Sequence, residues 1–74
     1  MKNIKIISRI LEENKQNIEK EKKLDLYNWD SMAKINLITF ISEKYKKNIN
    51  TKKLQNLKTV SDLDKFIEDI IKKK

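Results

Sequence analysis

Apolar residues recur along this chain at helical spacing, and nowhere do they alternate as a half-buried strand requires. Ile4, Ile7 and Leu11 fall at i, i+3 and i+7, with Ile10 beside Leu11, which predicts a first helix from Asn3 to about Glu13. Asn14 is the expected stop, because asparagine tolerates the left-handed backbone found at many helix ends. Residues 15–29 are strongly charged at first and then carry Ile18, Leu24, Leu26 and Tyr27 as apolar anchors. That pattern suits a long ordered loop pinned to a core, with a helical continuation through Ile18 to Lys23 as the alternative.

Asp30 and Ser31 are N-cap residue types in front of the most periodic stretch of the chain. On a wheel at about 100° per residue, Ile35, Leu37, Ile38, Phe40, Ile41 and Tyr45 cover a broad arc. Met32, Asn36, Thr39 and Glu43 cluster in the gap. The second helix, about 31–46, is therefore expected to lie centrally, bury most of its circumference and show one narrow strip. A linker over Lys46 to Asn50 follows, around Ile49. Thr51 can cap a short helical turn carrying Leu54 and Leu57. Thr59 and Asp62 then have the spacing of a capping box ahead of Val60, Leu63, Ile67 and Ile70, with Phe66 and Ile71 alongside. Lys72 to Lys74 suit the negative end of that helix's dipole before it frays. The expected fold is all-α: a small four-helix bundle of three main helices and one short one, forming a single domain over residues 1–74.

Composition narrows what such a bundle can do. The chain of 74 residues has no Cys, His, Gly or Pro. No disulfide can staple it, so its core must suffice alone. Without His or Cys there is no zinc cluster, thiol nucleophile or imidazole base, which argues against a self-contained hydrolase or redox enzyme. Neither catalytic residues nor a metal site are expected. The opening interleaves Lys2, Lys5 and Arg9 with isoleucines, unlike a secretory signal, and the apolar runs are too short for a membrane span. A cytoplasmic monomer without membrane contact is the expectation.

The formal net charge of +7 is unevenly placed. Residues 1–30 hold seven bases and six acids, and residues 59–74 hold four of each. Residues 31–58 hold seven lysines against Glu43 alone. Drift toward lysine-rich composition alone does not produce such an excess in the middle of the chain. One reading is a basic helical module that binds nucleic acid or an acidic protein partner. Against nucleic acid, Arg is nearly absent and aromatics make up only 7% of residues. Base-reading helices and stacking platforms use both, so nucleic acid is not the expected partner.

The most distinctive local feature is Tyr27-Asn28-Trp29-Asp30-Ser31-Met32, a loop that ends at the start of the central helix. Taken alone, Asp30-Ser31 is cap chemistry with an aromatic residue closing the core. With Ile35, Leu37-Ile38 and Ile41 to Tyr45 downstream, the segment resembles the acyl carrier protein family, in particular members with a Trp-Asp-Ser-Leu-type motif. Ile49, Leu54 to Leu57 and Thr59-Val60-Ser61-Asp62-Leu63 continue the resemblance, which covers Ile4 to Ile70. It implies that Ser31 is the attachment point of 4′-phosphopantetheine, whose thiol carries acyl or aminoacyl groups as thioesters. It further implies a phosphopantetheinyl transferase and acyl- or aminoacyl-activating and transferring enzymes as partners. Asp30 has two implied roles, capping the helix and helping the transferase place its metal ion. Trp29 is expected to anchor the core, and Met32, Asn36, Thr39 and Glu43 to form the docking strip.

Two departures from the family pattern stand out. Asn28 occupies a position where most members have glycine. The second helix is usually acidic, whereas here only Glu43 stands at a usual carboxylate position, with Lys44, Lys46 and Lys47 nearby. The implied carrier is one for a specialised pathway, outside bulk fatty-acid synthesis. A carrier-like fold that has lost modification is a further reading, against which Asp30 and Ser31 are both present.

Overall fold

The computed structural model describes residues 2–72. Four α-helices follow one another: α1 (Ile4–Leu11), α2 (Ser31–Tyr45), the short α3 (Thr51–Gln55) and α4 (Val60–Lys72). Two 3-10 turns, Lys15–Asn17 and Leu24–Leu26, lie between α1 and α2. Among the described residues there is no strand, and a lone antiparallel bridge pairs Lys23 with Thr59. The fold is the small all-helical bundle expected from periodicity. Lys73 and Lys74, expected to fray, lie outside the described residues.

Each long helix buries one line of apolar side chains. Ile7, Ile10 and Leu11 from α1 meet Ala33, Leu37 and Ile41 from α2 and Val60, Leu63 and Ile67 from α4. Ile18, Leu24 and Leu54 complete the buried set. No helix among the described residues is long and apolar enough to cross a membrane.

The central helix is less enclosed than its composition suggests. Ile35, expected in the buried arc, is 55% exposed, and Ile38, Phe40 and Tyr45 are half-buried. Its neighbours cover only the side bearing Ala33, Leu37 and Ile41, and Ile35 stands nearly opposite that line. Leu26, expected as a loop anchor, is 70% exposed. It sits two residues from Leu24 on a 3-10 turn, where each residue advances about 120°, so the two side chains diverge and only Leu24 enters the core.

Several boundaries also differ. The first helix stops at Leu11, and Glu12, not Asn14, takes the left-handed conformation (φ 53°). The N–H of Glu13 returns to the Ser8 carbonyl at 3.1 Å and that of Glu12 to Arg9 at 3.4 Å, a Schellman closure. The helical continuation through Ile18 to Lys23 is absent: Ile18 is buried from an extended backbone after the first 3-10 turn. Helix α3 is capped by Asn50, whose side chain accepts the Lys52 N–H at 2.9 Å, so Thr51 begins the helix and does not cap it.

The start of α4 is fully bonded. The Val60 N–H donates to the Lys22 carbonyl at 3.0 Å and the Ser61 N–H to Lys20 at 2.8 Å. The Asp62 N–H donates to Thr59 Oγ1 at 3.1 Å, and Asp62 Oδ2 accepts the Thr59 N–H at 3.2 Å, which completes the expected capping box. Leu24 N–H adds a bond of 2.8 Å to the Lys58 carbonyl, so the long loop is stitched to this turn. At the other end of the chain the buried Asn3 side chain donates to the Asp64 carbonyl at 3.2 Å and to Glu68 Oε2 at 3.1 Å, tying the entry of α1 to α4.

Two predictions follow from these helix ends. A non-glycine residue in the left-handed region costs about 1 kcal/mol or more. Lys46 (φ 57°) ends α2 that way, so Lys46→Gly is expected to raise stability by about 1 kcal/mol, read from the urea midpoint. The N–H donors of Thr59 and Lys58 hold the Asp62 carboxyl below its ordinary value, and Asn3 does the same for Glu68. Both contributions are present above the ordinary carboxylate pKa and are lost as pH falls through the depressed folded values. The melting temperature should therefore hold from neutrality to about pH 5 and decline below about pH 4, more shallowly in Asp62→Asn.

Candidate functional site

Asp30 ends the long loop in an extended conformation (φ −112°, ψ −173°), and its Oδ1 accepts the Ala33 N–H at 2.9 Å. Its carbonyl accepts the Lys34 N–H at 3.1 Å, the first bond of the helix ladder. The N–H groups of Ser31 and Met32 have no partner among the described residues. The beginning of α2 therefore presents two open donors at the positive end of a helix of 15 residues, whereas the same positions of α4 are bonded to the loop.

Ser31 is the first residue of that helix and is exposed, and no described residue hydrogen-bonds to its hydroxyl. Met32 beside it is 63% exposed, one of three large apolar side chains so exposed among the described residues. Asn28 contributes through its side chain: Nδ2 donates to the Leu11 carbonyl at 3.2 Å, one of the acceptors left over at the end of α1. Its φ is not positive, so the approach to Ser31 needs no left-handed residue. Trp29, expected as a core anchor, packs against the core but stays half-buried, with Lys34 Nζ 5.8 Å from its ring centroid.

The residues of the expected strip face a groove between α1 and α2. Asp30, Met32 and Asn36 line a hollow of about 200 Å³ together with Ile10, Glu12, Asn28 and Ala33. Asn36 continues into a second hollow of about 390 Å³ with Thr39 and Glu43, opposite Arg9, Ile10, Glu12 and Phe40. Ser31 lines neither hollow and sits in sequence between two residues of the first. The structure thus brings all the docking candidates onto one groove. It adds Arg9, Ile10 and Glu12, which periodicity assigned to a core helix or left unremarked. No local signal marked Glu12, because the left-handed stop was expected at Asn14.

Charge on this groove differs from the sequence expectation of nearby lysines. Its lining carries Asp30, Glu12 and Glu43 against Arg9. Lys44 stays close by, its Nζ 5.5 Å from the ring centroid of Phe40 on the groove's border, whereas Lys47 Nζ donates to the Ile70 carbonyl at 2.7 Å, toward α4. Among the described residues no group of three or more His, Cys, Asp or Glu is placed to hold a metal ion.

Removing the Asp30 cap is expected to cost about 0.5–2 kcal/mol in Asp30→Ala and much less in Asp30→Asn. Urea denaturation followed by the fluorescence of the adjacent Trp29 measures both.

No protein-family model matches the chain, and no curated protein matches it either.

Proposed function

We propose that the chain is a carrier protein in which Ser31 bears 4′-phosphopantetheine and acyl or aminoacyl intermediates are held on the arm as thioesters. The observation that carries this reading is the exposed Ser31 hydroxyl at the first position of α2, beside a cap that leaves the Ser31 and Met32 N–H groups open. A phosphodiester on Ser31 meets unpaired donors and the positive end of the helix dipole, so the residues present fit the group. The arm supplies the thiol that a Cys-free chain lacks.

The chain's own residues position this serine and do not activate it. No described side chain hydrogen-bonds to the hydroxyl and the sequence contains no His, so the base that takes the Ser31 proton belongs to a separate transferase. Asp30 uses Oδ1 on the cap, while Oδ2 makes no hydrogen bond among the described residues. That oxygen is available to a metal ion brought by the transferase. Met32, Asn36, Thr39 and Glu43, on a groove bordered by α1, form the face that transferring enzymes meet. Only one carboxylate, Glu43, stands on the α2 side of the docking strip, which favours dedicated partner enzymes in a specialised cytoplasmic pathway over those of bulk fatty-acid synthesis.

Incubation with coenzyme A and a broad-specificity phosphopantetheinyl transferase is expected to add one arm to the wild type, read by intact mass. Ser31→Ala should gain none. Met32→Glu, exposed and outside the cap, should fold normally and be modified more slowly. A wild type that stays unmodified with several transferases, and when isolated from its native cell, ends the carrier reading.

A further inference from the structure

The second helix separates two chemistries. Ser31 stands at its start and Lys44, Lys46 and Lys47 at and beyond its end, about 20 Å away at about 1.5 Å per residue. Of the seven lysines between residues 31 and 58, none lies within ion-pair distance of a carboxylate among the described residues; the ion pairs present are Lys22 with Glu19 and Lys72 with Glu68. Two of these lysines, Lys47 and Lys53, line a groove between the segment joining α2 to α3 and helix α4. One part of it, a hollow of about 190 Å³, has Ile49, Phe66 and Ile70 as its apolar lining and Lys47, Lys53, Asn48 and Asn50 as its polar lining. Small-molecule pockets run to about 300–1,000 Å³, so this one suits a single large side chain. Lys47 is also held in place, because its Nζ donates one proton to the Ile70 carbonyl at 2.7 Å and keeps two for another acceptor.

We infer that this groove docks an acidic segment of a partner protein, with one apolar side chain between Ile49, Phe66 and Ile70 and its carboxylates against Lys47 and Lys53. The adjoining hollow shares Lys53 and Phe66 but adds Asp62 and Asp69 alongside Lys65. A continuous phosphate backbone running along the groove would meet those carboxylates, whereas a short acidic segment stops before them. The base-reading Arg side chains and exposed aromatic platforms of nucleic-acid binders are absent from this lining, where Phe66 is half-buried. A lipid surface is disfavoured too, since the exposed large apolar residues, Leu26, Met32 and Ile35, lie elsewhere and none projects here.

The test is a titration of the isotope-labelled full chain with a synthetic peptide of glutamates flanking one central leucine, followed residue by residue in solution. Shifts centred on Ile49, Lys53, Phe66 and Ile70 are expected, weakening as salt rises. Lys47→Glu with Lys53→Glu should reduce affinity by about tenfold or more. If that pair disturbs folding, Lys53→Gln, on an exposed side chain, replaces it with a smaller loss expected. Ser31→Ala should bind as the wild type does, so this inference and the carrier reading fail separately. No shift at these residues with millimolar peptide, or affinity unchanged in the lysine variants, overturns the inference. So does tighter binding of a uridine oligonucleotide or of phosphatidylglycerol vesicles than of the peptide.

Discussion

The backbone hydrogen bonds between the long loop and the first turn of α4 hold the rest of the structure in register. Lys20 and Lys22 offer carbonyls to Ser61 and Val60, and Lys58 offers one to Leu24. Each bond gives a backbone group of the loop or of the start of α4 a partner within the protein, and together they fix where Leu24 enters the core. The loop then has few residues left before Asp30. Tyr27 shortens its freedom further, accepting the Glu19 N–H and donating to the Asn17 carbonyl, both at 3.0 Å. Asn28 closes the path by bonding to the end of α1. The position of Ser31 is thus set by a chain of local bonds running back to α4, although no described residue hydrogen-bonds to its hydroxyl.

The absence of glycine shapes the groove beside it. Both left-handed positions among the described residues, Glu12 and Lys46, sit at helix ends where glycine would be the least strained choice. At Glu12 the consequence is chemical as well as conformational, because a carboxylate stands at the junction of two hollows where glycine would leave none. The acidic character that α2 lacks is partly restored from α1.

Local signals were legible in the sequence and long-range ones were not. The Thr59–Asp62 box, the Asp30 cap and the exposed Met32 can be read from a few neighbouring residues, because each depends on chemistry within one helical turn. Periodicity located α2 but overstated its burial: it shows that Ile35 is apolar, not that any neighbour covers it. Leu26 misled for a similar reason, since two apolar residues in one 3-10 turn cannot both face inward. The α1 side of the groove and the reach of Lys47 to Ile70 depend on how helices distant in sequence pack, which no local pattern encodes.

Net charge, taken over the whole chain, points toward a polyanion, and its placement points away from one. Most of the lysine excess falls past the end of α2, with Lys47 and Lys53 beside a recessed apolar lining, while the groove near Ser31 carries more carboxylates than cations. A uniform field would draw any anion to the whole surface. Two ends of opposite character on one small bundle orient an approaching protein instead, since like charge at either end penalises the reversed pose. On the proposed reading, that polarity would separate the groove where enzymes meet Ser31 from the groove where Lys47 and Lys53 would hold an acidic segment.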